Sequence, residues 1–391
     1  MNPARRMSFK NTEHAFSLFL KHGSLLAIGA KGAIGEQQFL IGWGASQEVD
    51  ELSIDCTFIN PDFYLESDTW YRTTAHWDIV SKDVLKQHLR AFFLAGSGLE
   101  VNAENPQFHW SEPSYGDFVK SLQTIREGFE KRGLKKAVPV VHARSTAEWK
   151  IAQNARSLSE LLDLPETSMP YGHWQSDESG ALTGILGASP ELLWDGGGTL
   201  EGLTEIQTVA LAGTVARPGG SDVNSLSRQL LDDSKEREEH QLVIDDLQET
   251  LADLGRVQTD VTAALVLPHL IHLKTDIHVE FILPIKPKEL IRRIHPTPAL
   301  GVAPRVAGFK EMRLWDDAAQ RGDFGAPFGA FWTDESGETR SRCVVAIRCV
   351  RFKRGELLLS AGCGVIFRSV AEREWQELAN KRASVRKMLR I

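Results

Sequence analysis

Apolar residues recur along the chain in two rhythms. Short or alternating runs, "SLLAIGA" (24–30), "QFLIGWG" (38–44), "CTFI" (56–59), "AVPVVHA" (137–143), "ALTGILGA" (181–188), "CVVAIRCVRF" (343–352) and "ELLLSAGCGVIF" (356–367), predict strands, several bounded by Gly or Asp. Helical periodicity predicts helices at "YGDFVKSLQTIREGFEKRG" (115–133), "WKIAQNARSLSELLDL" (149–164), "SKEREEHQLVIDDLQETLADLG" (234–255) and "EREWQELANKRASVRKML" (372–389). Strands dominate both ends and helices interrupt them, which predicts an α+β protein. Gly255 is the expected stop of the long helix, and the Ser369 hydroxyl the expected cap of the last one. No Pro/Ser-rich linker, low-complexity tract or internal repeat marks a boundary, so residues 1–391 are expected to form one domain, with 1–110 contributing further strands.

Two helical stretches place charge where helical phase makes it informative. Glu374, Glu377 and Lys381, three and four residues apart, fall on one stripe of the last helix. Such a stripe is also what a solvated helix face with weak ion pairs looks like. In the long helix Val243, Leu247, Leu251 and Leu254 form an apolar line, and Glu239 lies close to it, aiming a carboxylate inward. An inward carboxylate needs either a buried Arg or Lys partner or, with further inward acids, a hard cation.

Composition removes several function classes. The net charge of −7 is modest and dispersed, which argues against a nucleic-acid partner. No run approaches the roughly 18 apolar residues of a membrane span, and the basic N-terminus lacks a persuasive cleavage site. Cys56, Cys343, Cys349 and Cys363 are too sparse for a disulfide framework or a zinc site, and a reducing cytoplasm is expected. Neither a Walker A nor a dinucleotide-binding pattern occurs, and Ser189 in "GASPE" has only half of a nucleophile elbow. His269 and His272, three apart, are a weak zinc signal, and His295 opens "HPTPALG".

In chain order, "GASPELL", "ALAGT", "SKEREEHQLVIDDL", "LIHLKTDI", "HPTPALG", "FGAPFGAFW", "VVAIR", "AGCGVIFRS" and "EREWQELANK" resemble the successive signature segments of the chorismate-utilising enzymes, over roughly residues 112–391. That family comprises isochorismate, salicylate and anthranilate synthases and the aminodeoxychorismate synthase large subunit. The resemblance implies two large antiparallel sheets packed as a sandwich with helices outside, and a magnesium-dependent cleft. By that match Glu239 and Glu377 hold the magnesium, and Glu374 supports it directly or through water. Lys381 faces a substrate carboxylate, and Arg348 grips the enolpyruvyl carboxylate with its planar fork. Backbone around Gly362 and Gly364 assists, Thr214 and His272 line the ring site, and Glu191 is the general acid, a role that needs a carboxyl kept protonated by burial.

Residues near "AGT" separate the family's reactions. Aminodeoxychorismate synthases typically carry a nucleophilic lysine where Ala212 precedes Gly213 and Thr214, and anthranilate synthases usually continue with a "RPRG"-like run where this chain reads "VARPGG". The segment is most similar to the isochorismate and salicylate group, so the expected reaction is conversion of chorismate to isochorismate, by a monomer with no glutaminase partner. That group draws its water-activating base from a lysine opening a strand of the type K-V-V-L-A-R. Aligning "VVHAR" (140–144) puts Pro139 at that position; Lys136 reaches it only through a three-residue bulge, and His142 points to the opposite face. Lys135 and Lys136, following "FEKRGL", otherwise read as an exposed loop. Other departures are Phe324 for a tyrosine, Ala371 for a proline, Leu378 for a threonine and Gln207 for a glutamate. The anchors for a carboxylate and a metal are better kept than the means of activating water, so a chorismate-binding protein of little turnover is the rival expectation, alongside salicylate or anthranilate formation.

Overall fold

The computed structural model describes residues 5–9, 13–30, 37–53, 55–95, 108–267, 269–334 and 337–391. Residues 96–107, assigned above to the N-terminal strands, lie outside that set. Among the described residues, hydrogen bonds join 17 strands into one continuous network. Its order is Val140–Ser145, Glu356–Gly362, Cys349–Lys353, Leu182–Ser189, Met169–Ser176, His22–Ala30, Gln37–Val49 and Tyr71–Ser81. It continues through Cys56–Ile59, Pro327–Thr333, Thr339–Val345, Leu192–Thr199, Gly202–Ala216 and Leu270–Ile285. Gly255–Thr259 and Ala263–Val266 share the far edge, and Arg5–Arg6 adds in parallel to Tyr71–Ser81.

Side-chain alternation shows how this network becomes a sandwich. Leu26, Leu40 and Ile185 of the first eight strands meet Phe58, Phe328, Trp332 and Val344 of the rest in a single dry cluster, so the two halves face each other. Their sequence neighbours Leu25, Ile41 and Leu186 point the other way, as a period of two requires, and pack under Glu13–Lys21, Lys82–Leu94, Ile151–Leu161 and Ala371–Leu389. Cys343 and Val345 likewise flank Val344 and join Val243, Leu247 and Leu251 of the helix Ser234–Leu251, with Tyr115–Lys131 and Pro287–Ile294 on the same outer face. Each fully buried large aliphatic or aromatic side chain contributes about 1.5–3 kcal/mol, which makes these three layers the source of the fold.

Three of the runs read above as single strands are broken, and the breaks are informative. "AVPVVHA" divides into Lys136–Ala137 and Val140–Ser145, because Pro139 has no N–H to give a ladder. "ELLLSAGCGVIF" divides into Glu356–Gly362 and Val365–Ile366, and "CVVAIRCVRF" into Thr339–Val345 and Cys349–Lys353. The first two breaks lie side by side: Val140 pairs with Gly362 in the large sheet, and Ala137 with Val365 beyond the gap. The freed ends join Val302–Ala303 in a separate three-stranded sheet.

Two terminal signals behave differently from expectation. The helix Ser234–Leu251 ends before Gly255, which instead begins a strand; a Cβ there would come within 2.0 Å of the Glu280 carbonyl, so close approach accounts for the glycine. The last helix has Val370 at its N-cap without a side-chain hydrogen bond, and Ser369 Oγ accepts from Ile366 N–H at 3.1 Å.

Candidate active site

The breaks at Arg348 and beside Gly364, together with the bulge at Gly213, border one cleft. Its walls include Glu191, Ala212, Gly213, Thr214, Glu239, His272, Leu300, Phe324, Arg348, Gly362, Gly364, Glu377 and Lys381, and it encloses about 630 Å³, mouth included. Phe324 is buried and supplies apolar wall without a hydroxyl.

One end of the cleft is built of donors. Strand register shifts between Ala212 and Thr214 opposite Leu273 and His272, and Gly213 takes φ +77 in the bulge. The shift re-aims Thr214 at His272 on the neighbouring strand. Arg348 sits in the strand gap with φ 55, a left-handed conformation uncommon outside glycine and costing of order 1–3 kcal/mol. A guanidinium only donates, so its Nη2 donates to His272 Nε2 at 3.2 Å. The imidazole proton is therefore on Nδ1, which faces Thr214 Oγ1 at 2.9 Å and the Gly213 carbonyl at 3.3 Å. Thr214 accepts from the ring and keeps its own proton to donate. Burial, then the charges of Arg348 and Lys381, hold His272 well below its ordinary pKa, so the ring is neutral. Arg348 Nη1 is buried without a partner, a donor awaiting an acceptor.

The other end is acidic. Glu239 is buried, and its carboxylate occupies the gap at Gly364, where a Cβ would lie 1.8 Å from Oε1. Lys136 Nζ is 3.0 Å from Glu239 Oε1, at ion-pair distance without a well-aligned hydrogen bond. Lys235 Nζ lies 2.9 Å from Glu236 Oε1, 3.5 Å from Glu239 Oε2 and 3.2 Å from Glu374 Oε1. Lys381 Nζ is 2.6 Å from Glu377 Oε1 and donates to the Gly362 carbonyl at 2.8 Å. Burial pushes the Glu239 carboxyl up, but Lys136 and Lys235 overcome it and hold it at about 2. Glu374 is raised to about 7 by burial, against the pull of Lys235, with Glu377 and Glu239 raising it further.

Among the described residues no three His, Cys, Asp or Glu side chains converge on one point. The set nevertheless fits a hard cation in kind: three carboxylates, two on one helix and one on another, that repel one another and are at present screened by lysines. Glu374 faces a neighbouring open cleft rather than the main one, while Glu377 borders both.

Between the two ends sits Glu191. Thr297 Oγ1 donates to its Oε1 at 3.4 Å, and burial raises its pKa to about 7 against the opposing charges of Lys136, Lys381 and Arg348, Lys136 first.

Several expectations are corrected. Lys136 is not on an exposed loop: it is fully buried on the small sheet, whereas Lys135 is exposed. The three-residue offset from Pro139 is absorbed by a strand break, not a bulge. Two readings of the sequence hold: Ser189, which had only half of an elbow, donates its hydroxyl to the Val345 carbonyl at 2.6 Å, and His269 and His272, a weak zinc signal, line different clefts. His295 Nε2 meets the Phe63 carbonyl at 2.7 Å. Lys235 and Thr297 escaped the sequence reading. The signal for Lys235 was its place four residues before Glu239, on the same helix face.

Fold and cleft together define a sandwich protein whose cleft has Arg348 and His272 at one end and an acidic cluster at the other. The chain belongs to the family described as chorismate binding enzyme, whose model matches residues 53–390. It is similar to the salicylate biosynthesis isochorismate synthase of Pseudomonas aeruginosa, 34% identical over 208 residues, covering 52% of this chain and 42% of that protein. It is also similar to anthranilate synthase component 1 of Acinetobacter calcoaceticus, 27% identical over 288 residues (70% and 54%), and to isochorismate synthase of Bacillus subtilis, 27% over 265 residues (67% and 53%). The chain thus spans about half the length of these curated relatives. Two solved structures share the fold: a 2,3-dihydroxybenzoate-specific isochorismate synthase from Bacillus anthracis, with TM-score 0.74, 17% identity and coverage of 95% of this chain and 96% of that one, and the menaquinone-specific enzyme from Escherichia coli, with TM-score 0.72, 17% identity and coverage of 98% and 92%. Among the described residues no helix is long and apolar enough to cross a membrane.

Proposed function

We propose that this protein is an isochorismate synthase, converting chorismate to isochorismate without a glutaminase partner. Glu239 and Glu377, with Glu374 beside them, would hold magnesium, which when bound supplies positive charge to a substrate carboxylate. Arg348, with its unpaired Nη1, takes the enolpyruvyl carboxylate, and Lys381 faces the ring carboxylate. Thr214, its hydroxyl proton freed by His272, donates to the substrate. Lys136 removes a proton from water as its oxygen bonds to one ring carbon; the ring double bonds shift, and the C–O bond to the departing hydroxyl breaks. Glu191 delivers its proton to that hydroxyl, which leaves as water.

The observation that carries this reading is the buried amine of Lys136, held 3.0 Å from the cleft-lining Glu239, beside a cleft where Ala212 stands at the nucleophilic lysine's place. The ion pair between Lys136 and Glu239 favours the second reading, a chorismate binder of low turnover, because an ammonium so held does not take a proton.

Purified protein incubated with chorismate and magnesium, with and without ammonium, separates the readings by product. Isochorismate alone is expected. Salicylate with pyruvate, or an aminated product, moves the assignment within the family, and unchanged chorismate despite measurable binding establishes the binder.

A further inference from the structure

Lys235 is the one ammonium group of the acidic cluster to which no part of the proposed chemistry gives a role. Its ammonium touches two of the three carboxylates assigned to magnesium, and they come from different helices: Glu239 at 3.5 Å and Glu374 at 3.2 Å. It also lies in the first turn of the helix Ser234–Leu251, where the positive end of the helix dipole disfavours a cation. Local helix energetics therefore do not explain its position, and the carboxylates do. Four of these, Glu236, Glu239, Glu374 and Glu377, face three ammonium groups, Lys136, Lys235 and Lys381.

The three lysines differ in their freedom to leave. Lys136 is fully buried, and Lys381 is tied to the Gly362 carbonyl. Lys235 is 23% exposed and borders the open neighbouring cleft of about 1160 Å³, mouth included, which offers its chain a way out. We propose that Lys235 is an internal counter-cation that screens the magnesium ligands and must withdraw into the neighbouring cleft for the ion to bind, so that it sets magnesium affinity without entering the chemistry. The inference rests on the magnesium reading above.

The test is calorimetric titration of the full chain with magnesium chloride, together with thermal melting of the metal-free protein, for wild type, Lys235→Met and Lys235→Arg. Removing the charge is expected to tighten magnesium binding about tenfold or more, and to lower the metal-free melting temperature by exposing the carboxylates to one another. Lys235→Arg keeps the charge and is expected to stay near wild type; Lys235→Gln replaces Lys235→Met if the latter fails to fold. Magnesium binding in wild type with equal or weaker binding in the neutral variant overturns this inference alone. No binding in wild type or in either variant overturns the metal reading beneath it.

Discussion

Two groups of buried charge lie near the cleft, and they are built differently. Arg321 is fully buried and closed by its own partners: Asp316 at 2.8 Å, the Leu300 carbonyl at 2.9 Å, the Phe324 carbonyl at 3.4 Å and the face of Phe63 at 3.6 Å. Tyr64 adds its hydroxyl to Asp316 at 2.7 Å. Through those carbonyls it fixes Leu300 and Phe324, two walls of the cleft, while staying outside it. The cluster around Glu239 instead holds more carboxylates than ammonium groups, one lysine nitrogen without a well-aligned acceptor, and a glycine gap beside it. A charge-balanced pair, even with Asp316 Oδ1 left without a hydrogen bond, holds a loop in shape; the Glu239 cluster differs in its excess of carboxylates over ammonium groups.

Substitutions that touch each group in turn sharpen the contrast. Glu239→Gln keeps an acceptor for Lys136 and is expected to retain the fold by far-ultraviolet circular dichroism, while kcat/KM for chorismate falls about a thousandfold or more. Arg321→Met leaves Asp316 buried and unpaired, and urea unfolding should report a loss of about 3–5 kcal/mol with magnesium affinity unchanged in the fraction that folds. Were the Arg321 variant to lose magnesium binding and keep its stability, the contrast between the groups would be broken. Arg348→Lys removes the guanidinium fork, and KM should rise about 10- to 100-fold, with a smaller change in kcat.

The smallest effect is one of pH. Burial raises Glu191 to about 7, and the acid role proposed for it needs the proton in place. On its basic side turnover is therefore expected to fall about tenfold per pH unit above that value, a limb that Glu191→Gln should erase along with most activity. A pH profile with an unchanged basic limb in that variant would assign the titration to another group.

How much of this was legible in the sequence follows from the range of the interactions involved. The α+β class and the long helices read directly, since period and burial agree: Val243, Leu247 and Leu251 are buried on one face, and Glu239 joins them. The pair of Glu377 with Lys381 was likewise local, four residues apart on one helix. The strand breaks were hidden because apolar residues run straight through them; only Pro139 hinted at one. Lys136 looked solvated beside "FEKRGLKK" because its partner, Glu239, is distant in sequence. Lys235 was masked in the same way, by a stretch so rich in charge that any member of it resembles an exposed helix start.

The paired gaps at 138–139 and 363–364 also uncouple two ladders that share the same chain segments. In an unbroken strand, moving a side chain by three positions reverses the face it serves. Across this seam that parity rule lapses, so the amine of Lys136 joins the cleft's charges from outside the main sheet while every pairing from Val140 to Ser145 keeps its place. The proline that stands where the resemblance expects a lysine thus marks the seam across which Lys136 meets Glu239 from the separate sheet.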